Sequence, residues 1–472
     1  MKYDYHIIVI GAGSAGLVTA SGIATIGAKV ALIESDKMGG DCLNTGCVPS
    51  KTFLKSAHIA SAMNDGSQYG IDSGPINVDW QAVKTRIQSI IKEIEPHDSK
   101  ERFEKMGVDV FLGKAYLLDN HTVLIGEEKI TGRNIVLATG SDPLIPSIPG
   151  LQSVPYKTNL DIFDLPELPK KLLILGSGSI ALELGQGFSH LGVDVTIISR
   201  SSRLFQRDEP EVHDTMLNTL SRAGMKIHLN AAIMQVVSID NDVKVQFEER
   251  GIPIEVTGDT LLVALGRKPA TASLGLENTK VQCDKKGFII TDQNLRTHES
   301  NIYACGDVVG PYLFTHMAGY QAGIVIRNVL FRLGSKVDYK KVTWCTYTKP
   351  EVAHVGLTEA QARDQGLYKE SLYFPLNKND RARTDNDRIG FLKLVVNKKG
   401  LLIGATIVSE KAGDLIPLAT LAIQKGLKPS SFLGIIYPYP IIAESYSSAA
   451  LEKTKSSLKE WHKKLIHFVF LR

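Results

Sequence analysis

The feature that most constrains the fold is a strand, a glycine turn, a helix and a second strand, which occur in this order twice. In the first copy, the apolar residues 6–10 lead into the turn at 11–16, and residues 29–34 form the second strand. In the second copy, the turn lies at 176–181 and the closing strand at 195–200. Units of this kind bind dinucleotides, so the chain is predicted to contain two nucleotide-binding domains built on parallel sheets.

The first turn has the residue types that dinucleotide binding requires. Gly11 permits the tight bend, Gly13 lets the backbone approach a pyrophosphate, and Gly16 allows the helix to meet the strand. The N–H groups and the dipole of the following helix then hold the phosphates. Glu34 ends the second strand, where a carboxylate can accept hydrogen bonds from ribose hydroxyls.

The rest of the chain completes an α/β architecture. Residues 135–141 and 261–267 each have the pattern of a buried strand that ends at a glycine, and residues 315–331 have that of a helix. From residue 342 onward alternating strands follow, including a hairpin with its turn at 397–400. We therefore predict two Rossmann-like dinucleotide-binding domains followed by a C-terminal α+β domain.

Charge and cysteine content exclude several classes of protein. The net charge of +4 is small against 54 basic and 50 acidic residues, which gives no reason to expect a nucleic-acid partner. Five cysteines are too few and too irregular for a secreted disulfide framework. The apolar residues 7–10 are too short for a secretory signal, and no run of about 18 apolar residues is present. We expect a cytoplasmic enzyme.

Two cysteines lie close together soon after Glu34. Four residues separate Cys42 from Cys47, a gap that brings two sulfurs to bonding distance when the segment bends into the start of a helix. A helix N-terminus favours the thiolate, and thiol exchange needs one sulfur to attack while the other stores charge. Zinc binding is the alternative interpretation, but no second cysteine or histidine pair lies nearby at zinc spacing. The pair is therefore predicted to be redox-active, with no metal site.

The segment 40–51 resembles the active-site signature of the class I pyridine nucleotide-disulfide oxidoreductases, which include glutathione reductase, dihydrolipoamide dehydrogenase and mercuric reductase. The similarity continues through residues 138–140, 266–267 and 297–307, so it covers residues 1 to about 450. The domains that it implies are an FAD-binding domain at 1–150 and 271–341, an NAD(P)-binding domain at 151–270 and a dimerisation domain at 342–450.

The resemblance also implies roles for individual residues. Cys47 is expected against the flavin as the charge-transfer sulfur, and Cys42 is expected to face the substrate as the exchanging thiol. Lys51 and Glu183 match a family ion pair beside flavin N5, and the start of the 315–331 helix is expected to point at the flavin. The residues expected to bind FAD are Gly11, Gly13, Gly16, Glu34, Gly40, Lys51, Ala115, Thr139, Gly140, Asp307, Thr315 and His316.

The second turn is predicted to bind the nicotinamide cofactor. An NADH site favours a carboxylate at the position that corresponds to Glu34, but this chain has Ser199 there, with Arg200 and Arg203 close by. A guanidinium pairs with a 2′-phosphate, which a carboxylate would repel. We predict NADPH preference, with NADH as the alternative if these arginines are only solvated surface charges. The residues assigned to this cofactor are Gly176, Gly178, Ala181, Arg200, Arg203 and Gly266.

The C-terminal domain contains the most informative departure from the family pattern. The family carries a His-Pro-x-x-x-Glu segment that reaches the partner subunit's disulfide, with histidine as the proton shuttle. This chain keeps the spacing to Glu444 but has Tyr439 in place of the histidine. A phenol with a pKa near 10 exchanges protons poorly at neutral pH, although it can still donate a hydrogen bond or approach a soft metal. Packing of an aromatic side chain in an interface is the alternative role of Tyr439.

In having a tyrosine at this position, the chain resembles the mercuric reductase branch of the family. The chain lacks the vicinal C-terminal cysteines of that branch, its last cysteine being Cys345, but Hg(II) or Cu(II) could meet Cys42 and Cys47 directly. We predict a soft metal ion or a disulfide as the acceptor, with a dihydrolipoamide dehydrogenase-like or glutathione reductase-like enzyme as the alternative. A flavin monooxygenase or oxidase, or a non-catalytic NAD(P)-sensing dimer, is the more distant alternative.

Residues 451–472 form a basic tail with interspersed aromatic and aliphatic residues. Such a segment can lie on an anionic membrane surface. We expect a homodimer with a shared active site; the favoured interpretation of the tail is a helix packed on that dimer, and weak contact with a membrane surface is the alternative.

Overall fold

The computed structural model describes residues 3–240, 242–458 and 460–470. Two units emerge from the contacts between residues, one formed by Met1–Ile198 with Ala231–Val337 and one by Ser199–Asn230 with Asp338–Arg472. The predicted borders between the cofactor domains stay a prediction. Of the predicted tail, residues 459, 471 and 472 lie outside the described residues.

The described residues form strands and helices in alternation over most of the chain. The strands are β1 Tyr5–Ile10, β2 Val30–Glu34, β3 Val108–Leu112, β4 Ala115–Leu117, β5 Thr122–Ile125, β6 Glu128–Leu137, β7 Ser141–Pro143, β8 Lys171–Leu175, β9 Asp194–Ile198, β10 Lys226–His228, β11 Ala231–Ile239, β12 Asp242–Glu249, β13 Ile252–Gly258, β14 Thr260–Val263, β15 Arg267–Pro269, β16 Ile302–Ala304, β17 Thr343–Thr346, β18 Glu351–Gly356, β19 Tyr368–Pro375, β20 Phe391–Asn397 and β21 Leu402–Ser409. The helices are α1 Ser14–Ala24, α2 Gly40–Asn44, α3 Cys47–Asn64, α4 Trp80–Ile94, α5 Lys100–Lys105, α6 Ser179–His190, α7 Pro210–Arg222, α8 Thr315–Phe331, α9 Glu359–Asp364, α10 Asp380–Thr384, α11 Ala412–Gln424, α12 Glu444–Ser457 and α13 Glu460–Phe470.

A seven-stranded sheet carries the first glycine turn. Its order is β3-β2-β1-β6-β5-β4, with β16 beside β6, and the pairs among β3, β2, β1, β6 and β16 are parallel. Both faces of β1 are buried: Val9 joins one apolar cluster and Ile8 and Ile10 join the other. A parallel strand buried on both faces needs an apolar run rather than an alternating one, which accounts for the sequence of β1.

The second glycine turn lies on another parallel sheet of the first unit. Strand β8 pairs in parallel with β9 on one side and with β14 on the other. Strands β11, β12 and β13 form an antiparallel meander, and β7 pairs with β15. The two predicted nucleotide units are therefore both present as parallel strand, turn and helix.

The second unit is built around an antiparallel sheet of order β17-β18-β21-β20-β19. The predicted hairpin is confirmed, because β20 and β21 pair antiparallel on either side of the turn that follows Asn397. Helix α11 packs on this sheet, with Ile416 in its apolar core. The predicted fold class is confirmed, and so is the helix at 315–331, which is α8. None of the described helices combines the length and the apolar character that crossing a bilayer requires.

Candidate active site

The two cysteines occupy neighbouring short elements beside the first glycine turn. Cys42 lies within α2, and Cys47 is the first residue of α3. Gly40, which begins α2, has a φ of +58°, and a Cβ there would lie 2.8 Å from the Cα atom of Gly13. A side chain at position 40 would therefore push the cysteine segment away from the turn.

Thr315 brings a hydroxyl to both sulfurs. Its Oγ1 lies 3.3 Å from Sγ of Cys42 and 3.4 Å from Sγ of Cys47. Thr315 is the first residue of α8, as Cys47 is of α3, so two helices begin at the sulfur pair. Partial positive charge at helix N-termini stabilises an anion, and the sulfur pair is where a thiolate would form.

The two thiols differ in acidity because they share a hydrogen bond. The hydrogen bond from Cys42, followed by that from Thr315 and the charge of Lys51, lowers the pKa of Cys47 to about 6. The same hydrogen bond and burial raise the pKa of Cys42. Near neutral pH one proton is therefore held between the sulfurs, with the negative charge on Cys47. The structure contains both residues as free cysteines.

The predicted ion pair next to this site is present. Nζ of Lys51 lies 2.7 Å from Oε2 of Glu183. Glu183 is 5% exposed and lies on α6, whereas Lys51 lies one turn along α3 from Cys47. The pair places a fixed cation near the sulfurs, although its predicted role beside a flavin stays a prediction.

A polar network links Asp41, the neighbour of Cys42, to the predicted FAD residue Asp307 through Arg267 and Ser141, two residues to which the sequence analysis gave no role. Arg267 Nη2 lies 2.8 Å from Oδ2 of Asp41, and its Nε donates to Oγ of Ser141 at 2.7 Å. Ser141 in turn donates to Oδ2 of Asp307 at 2.6 Å. Burial raises the pKa of Asp307, while the bond from Ser141 opposes that shift. The sequence signals were the predicted role of Asp307 toward FAD, the position of Asp41 next to Cys42, and the position of Arg267 at the end of a predicted strand.

The first glycine turn fits a dinucleotide pyrophosphate. A Cβ on Gly11 would lie 2.4 Å from the carbonyl oxygen of Ala138, and Gly11 has a φ of +102°. A Cβ on Gly16 would lie 1.7 Å from the carbonyl oxygen of Gly11. A Cβ on Gly13 would meet a single atom within 4 Å, at 3.9 Å, so its backbone is open where α1 begins. This is the surface that a pyrophosphate needs.

Glu34 is held in place at the end of β2. Its side chain is buried, and Oε2 accepts a hydrogen bond of 2.7 Å from the N–H of Ala12. Oε1 accepts another of 2.8 Å from the N–H of Asp36. A carboxylate fixed this way beside the turn matches the predicted ribose acceptor, so these residues fit the adenosine part of FAD.

The remaining predicted FAD residues are spread over the first unit. Thr139 donates from Oγ1 to the carbonyl oxygen of Ala270 at 2.7 Å, and Gly140 has a φ of +74°. His316 stacks on Phe314 with ring centroids 5.3 Å apart. Ala115 is buried in β4 at the edge of the sheet, where its side chain joins an apolar cluster. Their roles toward a cofactor stay predictions.

The second turn repeats the geometry of the first. Gly176 has a φ of +119°, and a Cβ there would lie 2.3 Å from the carbonyl oxygen of Ala264. Gly178 precedes α6, and a Cβ there would meet no atom within 4 Å. Ala181 is fully buried, and Gly266 has a φ of +122°. The turn therefore offers open backbone at a helix N-terminus, as a second dinucleotide requires.

The two arginines assigned to the 2′-phosphate differ in their surroundings. Arg200, two residues beyond β9, is exposed. Arg203 is half-buried and donates from Nη2 to the carbonyl oxygen of Gln206 at 2.9 Å. Ser199 is buried, with its Oγ accepting from the N–H of Ser201 at 3.2 Å. Arg200 is thus the more accessible of the two guanidinium groups, and the specificity stays a prediction.

Tyr439 and Glu444 lie in the second unit. Tyr439 is 72% exposed, and its hydroxyl donates to Oδ2 of Asp380 at 3.1 Å. This bond and the charge of Asp380 raise the pKa of Tyr439. Glu444 is the first residue of α12. The tyrosine therefore stays a neutral phenol at physiological pH, with its side chain presented to solvent.

The other three cysteines are not part of the site formed around Cys42 and Cys47. Cys305 is fully buried, Cys345 is half-buried and Cys283 is exposed. Among the residues that the structure describes, no group of three or more histidine, cysteine, aspartate or glutamate side chains is arranged to hold a metal ion.

Comparison with known proteins agrees with this geometry. The model of the family described as pyridine nucleotide-disulphide oxidoreductase matches residues 5–323, and that of the family's dimerisation domain matches residues 342–450. Mercuric reductase of Staphylococcus aureus is 36% identical over 458 residues, which cover 97% of this chain and 84% of that protein. Dihydrolipoyl dehydrogenase of Bacillus subtilis is 33% identical over 94% of this chain and 95% of that protein.

A solved structure shows the same likeness in three dimensions. The Cu(II) complex of the HOCl-induced flavoprotein disulfide reductase RclA from Escherichia coli superposes with a TM-score of 0.84 at 30% identity. The match covers 94% of this chain and 98% of that chain.

Proposed function

The chain belongs to the pyridine nucleotide-disulfide oxidoreductase family, and from that premise we propose that it uses NADPH to reduce a soft metal ion, Hg(II) or Cu(II), at Cys42 and Cys47. Members of the family are FAD-dependent flavoenzymes that use NAD(P)H. Gly11, Gly13, Gly16 and Glu34 would hold the adenosine and pyrophosphate part of FAD, which would supply hydride and two-electron chemistry between the nicotinamide and the cysteine pair.

The observation that carries the proposal is the asymmetric sulfur pair at Thr315. A thiolate on Cys47 and a protonated Cys42 that can lose its proton on metal binding supply two soft ligands. Two electrons from NADPH balance the reduction of one Hg(II) to Hg(0) with release of one proton, or of two Cu(II) to two Cu(I). The hydroxyl of Thr315 holds both sulfurs in place for that exchange.

Tyr439 supports a metal acceptor over a disulfide acceptor. Exchange between a dithiol and a disulfide needs a group that takes up and returns a proton near pH 7. The pKa of Tyr439 is raised above that of an ordinary phenol, so it cannot fill that role. Binding of a metal ion by both sulfurs releases the Cys42 proton once and needs no group that later returns it. The mercuric reductase relatives and the copper(II) complex of the structural relative are in keeping with this choice.

The test is a comparison of acceptors in steady state. The loaded enzyme is given NADPH with Hg(II), Cu(II), oxidised glutathione or oxidised lipoamide, and oxidation of NADPH is followed. We expect kcat/KM for a metal ion to exceed that for either disulfide by at least about tenfold. Brisk turnover of lipoamide would instead favour the second candidate, a dihydrolipoamide dehydrogenase-like enzyme.

A pair of variants at position 439 separates the two candidates further. Tyr439→Phe removes the hydroxyl that donates to Asp380 and keeps the ring. Tyr439→His restores the proton carrier of the family pattern. If the metal proposal holds, the histidine variant gains activity with disulfides, while the phenylalanine variant does not. Reduction of oxidised lipoamide at equal rates by all three proteins would contradict this role of position 439.

NADPH preference is the second part of the proposal, and it rests on Arg200. This guanidinium is exposed two residues beyond β9, and Ser199 replaces the carboxylate that would repel a 2′-phosphate. We expect Arg200→Ala to lower kcat/KM for NADPH about tenfold or more, with little change for NADH. Arg207→Ala is the matched control, since that arginine is also exposed but was not assigned to the cofactor. Strong preference of the unaltered enzyme for NADH would contradict the proposal.

A further inference from the structure

The positive charge of this protein is concentrated in one short segment. Residues 451–472 contain six of the 54 basic residues and two of the 50 acidic residues. Residues 1–450 therefore contain 48 of each sign and are neutral overall, although the chain has a net charge of +4. The last 22 residues carry all of the net positive charge. This distribution is not visible in the composition of the whole chain.

The same segment exposes a set of large apolar side chains. Helix α13 spans Glu460–Phe470, and Trp461, Leu465 and Phe468 recur along it at intervals of four and three residues. Such spacing places side chains on one face of a helix. These three are 57%, 52% and 57% exposed, and Phe470 is 76% exposed.

The other side of α13 is polar and carries an acidic residue, a lysine and a histidine. Glu460, Lys464 and His467 recur at intervals of four and three residues, so they share a face that differs from that of Trp461. In the preceding helix, α12, Lys455 is exposed in the last turn. An exposed apolar face flanked by lysines is the pattern of a helix that lies in a membrane interface.

The segment also lies beyond the residues that match the family models. The match to the dimerisation domain ends at residue 450, and α13 begins at Glu460. The apolar core of the second unit contains Tyr446 and Ala449 of α12 but none of the α13 side chains that the structure describes. Removal of α13 is therefore not expected to disturb the core of the unit.

We propose that α13 and the lysines before it bind the surface of an anionic phospholipid membrane. The apolar face enters the boundary between headgroups and acyl chains, while the lysines pair with anionic headgroups. A second copy of the chain is the less suitable occupant, because two segments of equal positive charge repel each other. A nucleic acid would match the charge but would leave the apolar face in water.

The test is co-sedimentation of the full-length protein with vesicles. Vesicles of mixed phosphatidylglycerol and phosphatidylcholine are compared with vesicles of phosphatidylcholine alone. We expect the bound fraction to be about tenfold or more higher on the anionic vesicles and to fall at high salt, because screening weakens the attraction. Equal binding to both kinds of vesicle, or binding to neither, would overturn the proposal.

Variants locate the effect in the segment. A chain that ends at Ser457 is expected to lose binding to the anionic vesicles while keeping its NADPH-dependent activity and its oligomeric state. Phe468→Glu places a charge on the apolar face, and this variant is expected to lose binding to the anionic vesicles. Glu460→Gln is the matched control on the polar face, and its binding is expected to persist. The proposal fails if the shortened chain still binds, or if it loses its oligomeric state and thereby identifies α13 as a subunit contact.

Discussion

The hydroxyl of Thr315 is the residue-scale feature that gives the sulfur pair its chemistry. It lies within 3.4 Å of both sulfurs, and it adds to the hydrogen bond from the Cys42 thiol, which is the larger cause of the lowering of the Cys47 pKa from 9.0 to about 6. A depressed pKa means that Cys47 is a thiolate above about pH 6 and loses its charge as the pH falls through that value. Reactivity of Cys47 should therefore rise with pH through this region.

Removal of the Thr315 hydroxyl should make Cys47 less acidic. Thr315→Val keeps the shape of the side chain and removes the bond to Cys47, so the midpoint of the pH-dependent alkylation by iodoacetamide should rise by roughly half to one pH unit. Thr315→Ser, which keeps a hydroxyl, should leave the midpoint near that of the unaltered protein. An unchanged midpoint in the valine variant would show that Thr315 does not set the acidity of Cys47.

At the scale of elements, the contact between α3 and α6 carries the Lys51–Glu183 pair. Gly187 of α6 makes this contact close, because a Cβ there would lie 2.4 Å from Cε1 of Phe53. Phe53 is fully buried and packs against Phe188 with ring centroids 4.8 Å apart. The helices therefore have little room to separate without disturbing an aromatic core.

We expect Gly187→Ala to destabilise the protein by about 1–3 kcal/mol, because the added methyl group overpacks the interface. Gly319→Ala is the matched control, since it also lies inside a helix but a Cβ there would meet no atom within 4 Å. That control should be neutral or slightly stabilising, as alanine favours a helix over glycine. Urea denaturation measures both, and equal stability of the two variants would contradict the packing account.

At the scale of the whole molecule, a buried lysine joins distant parts of the chain within the second unit. Nζ of Lys393, in β20, lies 3.0 Å from Glu209 and 2.7 Å from Glu211, which flank the start of α7. It also lies 3.2 Å from Glu359, which begins α9. Burial opposes ionisation of Glu359, but hydrogen bonds from Arg363, Ser371 and Lys393 lower its pKa to about 2.

Lys393→Met is expected to destabilise the protein by about 3–5 kcal/mol at pH 7, since it leaves the buried carboxylate of Glu209 without its cation. The stability that Glu359 adds through its depressed pKa is complete above its ordinary pKa of 4.5 and is lost as the pH falls toward about 2. The difference between variant and unaltered protein should therefore shrink in acid. Lys378→Met, which removes an exposed pair with Glu452, should cost little. A small effect of Lys393→Met at pH 7 would contradict this.

The sequence predicted the local features well because each depends on neighbouring residues. The bounds of α8, the β20–β21 hairpin and the two glycine turns follow from periodicity and turn chemistry. The position of Thr315 at the sulfurs does not, since 268 residues separate it from Cys47. The burial and ion pairs of Lys393 could not be predicted either, because a charged residue in a strand is normally expected to face solvent. Its three partners also come from two other parts of the chain.

The most direct test of the central claim is release of elemental mercury from Hg(II) by the loaded enzyme with NADPH. The account predicts one Hg(0) per NADPH for the unaltered protein and background rates for Cys42→Ser and Cys47→Ser. Cys283→Ser, at an exposed cysteine outside the site, should keep full activity. Mercury release by Cys42→Ser and Cys47→Ser at the rate of the unaltered protein would contradict the account, because electrons would then leave by a route that does not include this sulfur pair.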